Sequence, residues 1–244
     1  MNDSIKLRVK FQKSGAIRYI GHLDVMRFFQ KCIRRAEIDV CYTGGFSPHQ
    51  IMSFAAPLSV GLESMGEYMD IEVHSVTSSE DMMERFNQAS VPGIRIVSVK
   101  RLPENAGNAM ASVAAASYSV GFRPERTPLL FTKSDDIIEK ALENFLSLPS
   151  IPFTKEGKKG MREIDLKEGI YHLSWEKDIK KLDMLLNASS SGNIKPEQII
   201  RALLEKEGQT LENNALLITR KETYTDIGGE EPKLIPMDEV GELF

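Results

Sequence analysis

Near the start of the chain Ile5, Leu7, Val9 and Phe11 alternate with Lys6, Arg8, Lys10 and Gln12. This is the period-two pattern of a strand with one face in a core. After the turn residues Ser14 and Gly15 the period changes. Within GHLDVMRFFQKCIRRAEI, the apolar positions Leu23, Met26, Phe29, Ile33 and Ala36 recur at helical spacing and mark the expected core face of an amphipathic helix. The next stretch, YTGGFSPHQIMSFAAPLSVG, reads as a shaped loop running into a short strand. A second strand is expected over Tyr68–Val73, a helix in SSEDMMERFNQA whose early acids Glu80 and Asp81 suit its N-terminus, and a strand in GIRIVSVKRL. The order β-α-β-β-α-β within residues 1–103 is that of a ferredoxin-like domain: a four-stranded antiparallel sheet with both helices on one face and the other face open.

Gly, Pro, Asn and Ala then accumulate over residues 104–116, a composition that predicts a linker with a short helix from Met110 to Ala115. The pattern repeats more loosely afterwards. A strand in SYSVGF precedes a helix in SDDIIEKALENFLSL, with Ser134 as its expected N-cap. Strands follow in IPFTKE, GIYHLSW and KLDMLLNA. A helix in KPEQIIRALLEKEG opens on Pro196, and ALLITRKETY is the last strand. The reading is therefore α+β, two tandem ferredoxin-like (βαββαβ) domains with antiparallel sheets, the second over residues 117–225. Residues 226–244 form an acidic tail with little periodicity, expected to be flexible and able to dock Leu234, Ile235, Val240 and Phe244.

Charge divides unevenly along this order. Residues 1–50 carry nine Lys or Arg against four acids, a net +5, while the other 194 residues carry 22 against 31, a net −9. A basic first fifth on an acidic chain attracts polyanions. On the first helix Arg27, Lys31, Arg34 and Arg35 fall at i, i+4, i+7 and i+8, so four cations share one side with only Asp24 and Glu37 near to balance them. At 41% apolar and 27% charged residues, the composition is that of a folded chain rather than a disordered one. No apolar run approaches the 18 or so residues of a spanning helix and the start shows no signal-peptide region, so a cytoplasmic protein without membrane contact is expected.

Composition and motifs also exclude several chemistries. Cys32 and Cys41, nine apart, read as buried apolar residues rather than a metal or disulfide pair. The sequence lacks G-x-x-x-x-G-K-[ST], G-x-G-x-x-G and H-E-x-x-H, so nucleotide hydrolysis, dinucleotide binding and zinc peptidase chemistry have no support, and no metal or cofactor is expected. What remains is a rim. His22 at the helix start suits a general base, an anion contact or a packing role. His49 in the loop suits the same ligand or a bond to its own turn. Tyr19 and Tyr42 flank these histidines and suit base stacking or partial burial in a sheet. Gly44 and Gly45 permit a tight turn and close backbone approach, Pro48 stiffens the exit, and Ser47 adds a polar contact.

Four pieces in order carry a resemblance: H-L-D (His22–Asp24) opening the helix, R-R-A (Arg34–Ala36) closing it, G-F-S-P-H (Gly45–His49) and E-Y-x-D-I (Glu67–Ile71). Together they resemble the bacterial radical-SAM-linked family, a domain of unknown function whose members are fused to or encoded beside radical SAM enzymes, in some bacteria near genes for an RNase and ribosomal proteins. The resemblance extends more weakly through Lys158, Lys159, Gly160, Ile164, Asp165 and Pro196. It implies a radical SAM partner. This chain cannot itself perform that chemistry, which needs three clustered cysteines where only two, far apart, are present. Where the family pattern has Arg-Pro after the aspartate, Leu166 and Lys167 stand here. A looser similarity of element order and of the G-F-x-P-H segment links the chain to CRISPR repeat-processing endoribonucleases, a hint about RNA that transfers no activity.

Three functional expectations follow. The first is a non-catalytic RNA-binding or adaptor protein serving a radical SAM enzyme in RNA or ribosome-related modification or maturation, with Lys10, Arg18, Arg27, Lys31, Arg34, Arg35, Gly44, Gly45, Ser47 and His49 at the RNA. The second is a metal-independent endoribonuclease, with His22 or His49 as general acid or base, Tyr19 or Tyr42 assisting, and Lys10 or Arg18 stabilising the phosphate. The third is a protein-protein scaffold without RNA.

Overall fold

A computed structural model of the chain describes residues 4–157, 160–229 and 232–244. In chain order its elements are β1 (Ile5–Lys13), α1 (His22–Arg35), β2 (Met52–Phe54), β3 (Glu63–Val73), α2 (Ser79–Gln88), β4 (Ile94–Arg101), β5 (Ala115–Phe122), α3 (Asp135–Leu146), β6 (Pro152–Gly157), β7 (Gly160–Asp165), β8 (Ile170–Glu176), β9 (Lys181–Asn187), α4 (Pro196–Lys206), β10 (Leu216–Asp226) and β11 (Leu234–Pro236). The fold is mixed α+β, and the strand pairs with an assigned register are all antiparallel. No helix among the described residues is long and apolar enough to cross a membrane. The chain divides into two compact units, Met1–Ala114 with Arg220–Phe244, and Ala115–Thr219. The sequence reading instead breaks the chain at 103 and 117 and sets the last residues apart as a tail.

In the first unit the sheet runs β4-β1-β3, with β2 pairing β3 at Met52 opposite Ile71, and β10 also beside β3. The alternation of β1 sends Leu7, Val9 and Phe11 into a core shared with Met69 and Ile71 of β3, Ile96 and Val99 of β4, Phe29 and Ile33 of α1, and Met82 and Phe86 of α2. Phe54 meets Phe11 and Phe29 edge to face, and Phe11 lies tilted on Phe29, with ring centroids 4.7–6.2 Å apart. Burying such rings is worth about 1.5–3 kcal/mol each. Helix α2 starts at a true cap, since the Ser78 hydroxyl accepts the Asp81 N–H at 3.1 Å.

Several expectations are corrected. Leu23 does not face the core but is 61% exposed, because it lies about 130° around α1 from the middle of the stripe Val25, Phe29, Cys32 and Ile33. The sheet face away from the helices is not open. Arg8, Tyr68 and Asp70 on it are buried, and the turn Met237–Val240 covers it, with Met237 fully buried. The tail is therefore ordered, its β11 pairing β10 at Tyr224 opposite Pro236. The linker packs too: Ala109 and Val113 are buried, and no helix forms at Met110, because the chain is already extended in β5 at Ala115.

In the second unit the order is β5-β9-β8, with the start of β10 beside β5, where the Arg123 N–H donates to the Ala215 carbonyl at 2.8 Å. Val120, Leu182, Met184 and Leu186 form a core with Ile138, Leu142 and Phe145 of α3 and Ile199 and Leu203 of α4. Ser134 stands at the N-cap of α3, but its side chain makes no capping bond. Strand β7 was not expected from the sequence. It pairs β6 as a separate two-stranded ribbon, with Phe153 opposite Ile164.

Candidate functional site

Helix α1 carries two opposed faces. The buried stripe holds it on the sheet, while Arg27, Lys31, Arg34 and Arg35 span an arc of about 100° on the opposite side and are all exposed. Arg27 reaches Asp24 at 3.2 Å, with both side chains more than half exposed. Among the described residues, Lys31, Arg34 and Arg35 make no ion pair with any acid. Three cations thus keep their charge uncompensated at the surface.

Residues 41–51, which the sequence suggested as a loop, form a short irregular hairpin. The Thr43 N–H donates to the His49 carbonyl at 2.9 Å, the His49 N–H to the Thr43 hydroxyl at 3.0 Å, and the Ile51 N–H to the Cys41 carbonyl at 2.8 Å. Gly45 has φ of +99°, a left-handed conformation that requires glycine, whereas Gly44 does not. The Gln50 side-chain amide donates to the Gln30 carbonyl at 3.2 Å and so ties the hairpin stem to the middle of α1. Ser47 and His49 are exposed, Tyr42 is half exposed, and Phe46 at the tip is wholly exposed. Sequence reading passed over Phe46. Its only signal was an aromatic between Gly-Gly and Ser-Pro with no apolar partner at helical or strand spacing.

The remaining candidates separate. His22 lies edge to face on Phe54, with ring centroids 5.1 Å apart, a packing contact rather than a catalytic one. No hydrogen bond joins its ring to that of His49 among the described residues. Arg18 pairs with Glu63 at 3.2 Å and lies over the exposed Tyr19 ring at 5.0 Å. Lys10 is not on this surface. It projects from the opposite side of β1, where its ammonium reaches Glu222 at 2.5 Å and Asp238 at 3.5 Å. Burial works against that charge, but the bond to Glu222 and the charges of Glu222 and Asp238 outweigh it and hold the Lys10 pKa above the ordinary value.

Lys10 belongs to a polar cluster that the sequence did not suggest. Arg8 binds Asp70 through two parallel bonds of 2.8 and 2.9 Å and donates a third, 2.9 Å, to the Met237 carbonyl. The Tyr68 hydroxyl sits 2.7 Å from Glu222 and 2.9 Å from Asp238. Burial, then these two carboxylates, drives its pKa far upward. Arg220 pairs with Glu67 at 2.8 Å. Arg8, Lys10 and Arg220 are each matched by a carboxylate.

In the second unit a cleft of about 700 Å³ lies between the β6-β7 ribbon and the 187–194 loop, lined by Lys155, Arg162, Asp165, Ser190 and Asn193 among others. Lys158 and Lys159 lie outside the described residues. Asp165 accepts the backbone N–H groups of Ile151 and Lys167, which hold its carboxyl below the usual range. Leu166 is fully buried, so this segment serves the turn and the core.

The sequence model of the family DUF2344, described as an uncharacterized protein conserved in bacteria, matches residues 6–196. No curated protein shows a significant match to the chain. Among solved structures, a DypB protein in complex with manganese is 10% identical, with 89% of this chain and 93% of that chain covered, at a TM-score of 0.22 that carries no argument.

Proposed function

We propose, for a chain that belongs to the DUF2344 family of uncharacterized bacterial proteins, a non-catalytic RNA-binding role in which the outer face of α1 holds the phosphate backbone and the protein presents that RNA to a radical SAM enzyme. The observation that carries it is the uncompensated row of Lys31, Arg34 and Arg35 with Arg27 beside them, on the side of α1 turned away from its core. Phosphates neutralised by such a row release counterions, which makes binding favourable and strongly dependent on salt. The lack of catalysis is supported by the placement of the histidines, His22 on Phe54 and His49 on the exposed hairpin without a partnered base or nucleophile among the described residues. The radical SAM partner rests on the sequence resemblance alone. The finer architecture, two tandem ferredoxin-like units, is supported by the strand orders β4-β1-β3 with β2 on β3, and β10-β5-β9-β8.

The test is binding of cellular RNA to the full chain across a salt series, with Arg27→Ala, Arg34→Ala and Arg35→Ala combined in one variant. The wild type is expected to bind with a steep slope of log affinity against log salt, and the variant to lose about 0.7 of slope for each contact removed. Salt-independent binding, or none at low salt, would overturn the reading.

A further inference from the structure

We propose that the 42–50 hairpin is a stacking platform and that the nucleic acid held on α1 is single-stranded, an unpaired base lying on the Phe46 ring while neighbouring phosphates meet the α1 cations. This rests on the RNA-binding reading above and names the class of RNA. Phe46 is wholly exposed, and Tyr42 and His49 at the two ends of the same hairpin are exposed as well. An apolar ring on the surface forgoes the burial that would stabilise it, and Phe46 shares its hairpin with two further exposed rings rather than standing singly.

The backbone that carries the ring is fixed. The Thr43 to His49 bonds, the left-handed Gly45 and Pro48 fix the tip, and the bond from Gln50 to Gln30 fixes the stem against α1, one turn from both Arg27 and Arg34. A pre-organised hairpin loses little backbone freedom on contact.

Charge and shape together select the occupant. The cations require an anion, which suits duplex, single strand or acidic protein alike. A duplex keeps its bases stacked on one another and offers the ring no face. A single strand supplies phosphates and open base faces together, the pairing of cationic track and aromatic platform by which proteins hold unpaired nucleic acid.

The experiment measures affinity of the full chain for a short oligouridylate and for an RNA duplex of equal length, at low salt, in the wild type and in three variants. Phe46→Ala is expected to weaken single-strand binding on the order of ten-fold and leave duplex binding unchanged. Phe46→Trp, placed in a Trp175→Phe background so that it is the one indole, is expected to retain single-strand binding and to show fluorescence quenching when the base stacks. Arg34→Ala with Arg35→Ala is expected to weaken both probes. Equal wild-type affinity for the two probes, with Phe46→Ala without effect and the arginine variant weakened, would overturn the stacking inference and leave the RNA reading standing. No binding of either probe by the wild type would overturn both and point to an acidic protein as the occupant. An unchanged thermal midpoint in Phe46→Ala, and in Phe46→Trp relative to Trp175→Phe alone, shows that the fold is intact.

Discussion

Arg8, Lys10 and Arg220 on one side of the first unit and Lys31, Arg34 and Arg35 on the outer face of α1 are the same chemistry in opposite settings. The first three are buried or half-buried, and each meets a carboxylate at 2.5–2.8 Å. The second three are exposed and meet none among the described residues. A buried charge must be matched because its desolvation costs several kcal/mol, so the sheet-side cations can serve only the fold. An exposed charge is solvated at no such cost and remains available to a ligand. Counting Lys and Arg along the chain cannot tell these fates apart; burial can.

The comparison can be broken most directly at Asp70. Asp70→Ala leaves the Arg8 guanidinium buried with only the Met237 carbonyl, and thermal or denaturant unfolding should register a loss of about 3–5 kcal/mol. A loss as small as that of an α1 substitution would show that the sheet-side pairs are as dispensable as surface ones.

Alkaline titration is the next largest effect. Cys32, buried and donating to the Phe86 carbonyl at 3.6 Å, has its pKa pushed up by burial from 9.0 to about 11. The unfolded chain therefore gives up that proton first, and stability present below pH 9.0 falls by roughly 2–3 kcal/mol by pH 11. The raised Tyr68 and Lys10 act in the same sense above their ordinary values of 10.0 and 10.5. Lys13, lowered by burial against the favourable charge of Glu67, opposes them as its proton leaves. The expected result is a thermal midpoint that declines above about pH 9, and a midpoint rising over that range would contradict the burial of these groups.

Tyr68→Phe sharpens the same side on a smaller scale. It removes the hydroxyl shared by Glu222 and Asp238, and a loss of about 1–3 kcal/mol is expected in denaturant titration. Arg34→Ala gives the smallest change, within about 0.5 kcal/mol in the same assay, while lowering RNA affinity.

Much of the fold was legible because it is local. The period of two in β1, the helical stripe of α1 and the Pro196 start of α4 all read directly from neighbours along the chain. The covered sheet face was not legible, because Arg8 pairs with Asp70 62 residues away and with Met237 229 residues away. No pattern within a window of ten or twenty residues encodes such partners, so Arg8 and Lys10 read as solvent-facing positions of a half-buried strand. Within the candidate site the α1 row was readable from spacing, since helix angle alone decides it. Phe46 was not, because a loop has no period against which one exposed ring stands out.

Unit one is assembled from two stretches of chain with the whole of residues 115–219 between them. For a chain made from its N-terminus at about 5–20 residues per second, this sets a waiting time. Lys10 leaves the ribosome 212 residues ahead of Glu222, an interval of roughly 10–40 s. The second unit, residues 115–219, is made wholly within that interval, while the N-terminal stretch must hold Lys10 and the third bond of Arg8 unsatisfied. The strand-and-helix layer of residues 5–101 is thus the part of the nascent protein most in need of shielding, and its folding is completed last although it is made first.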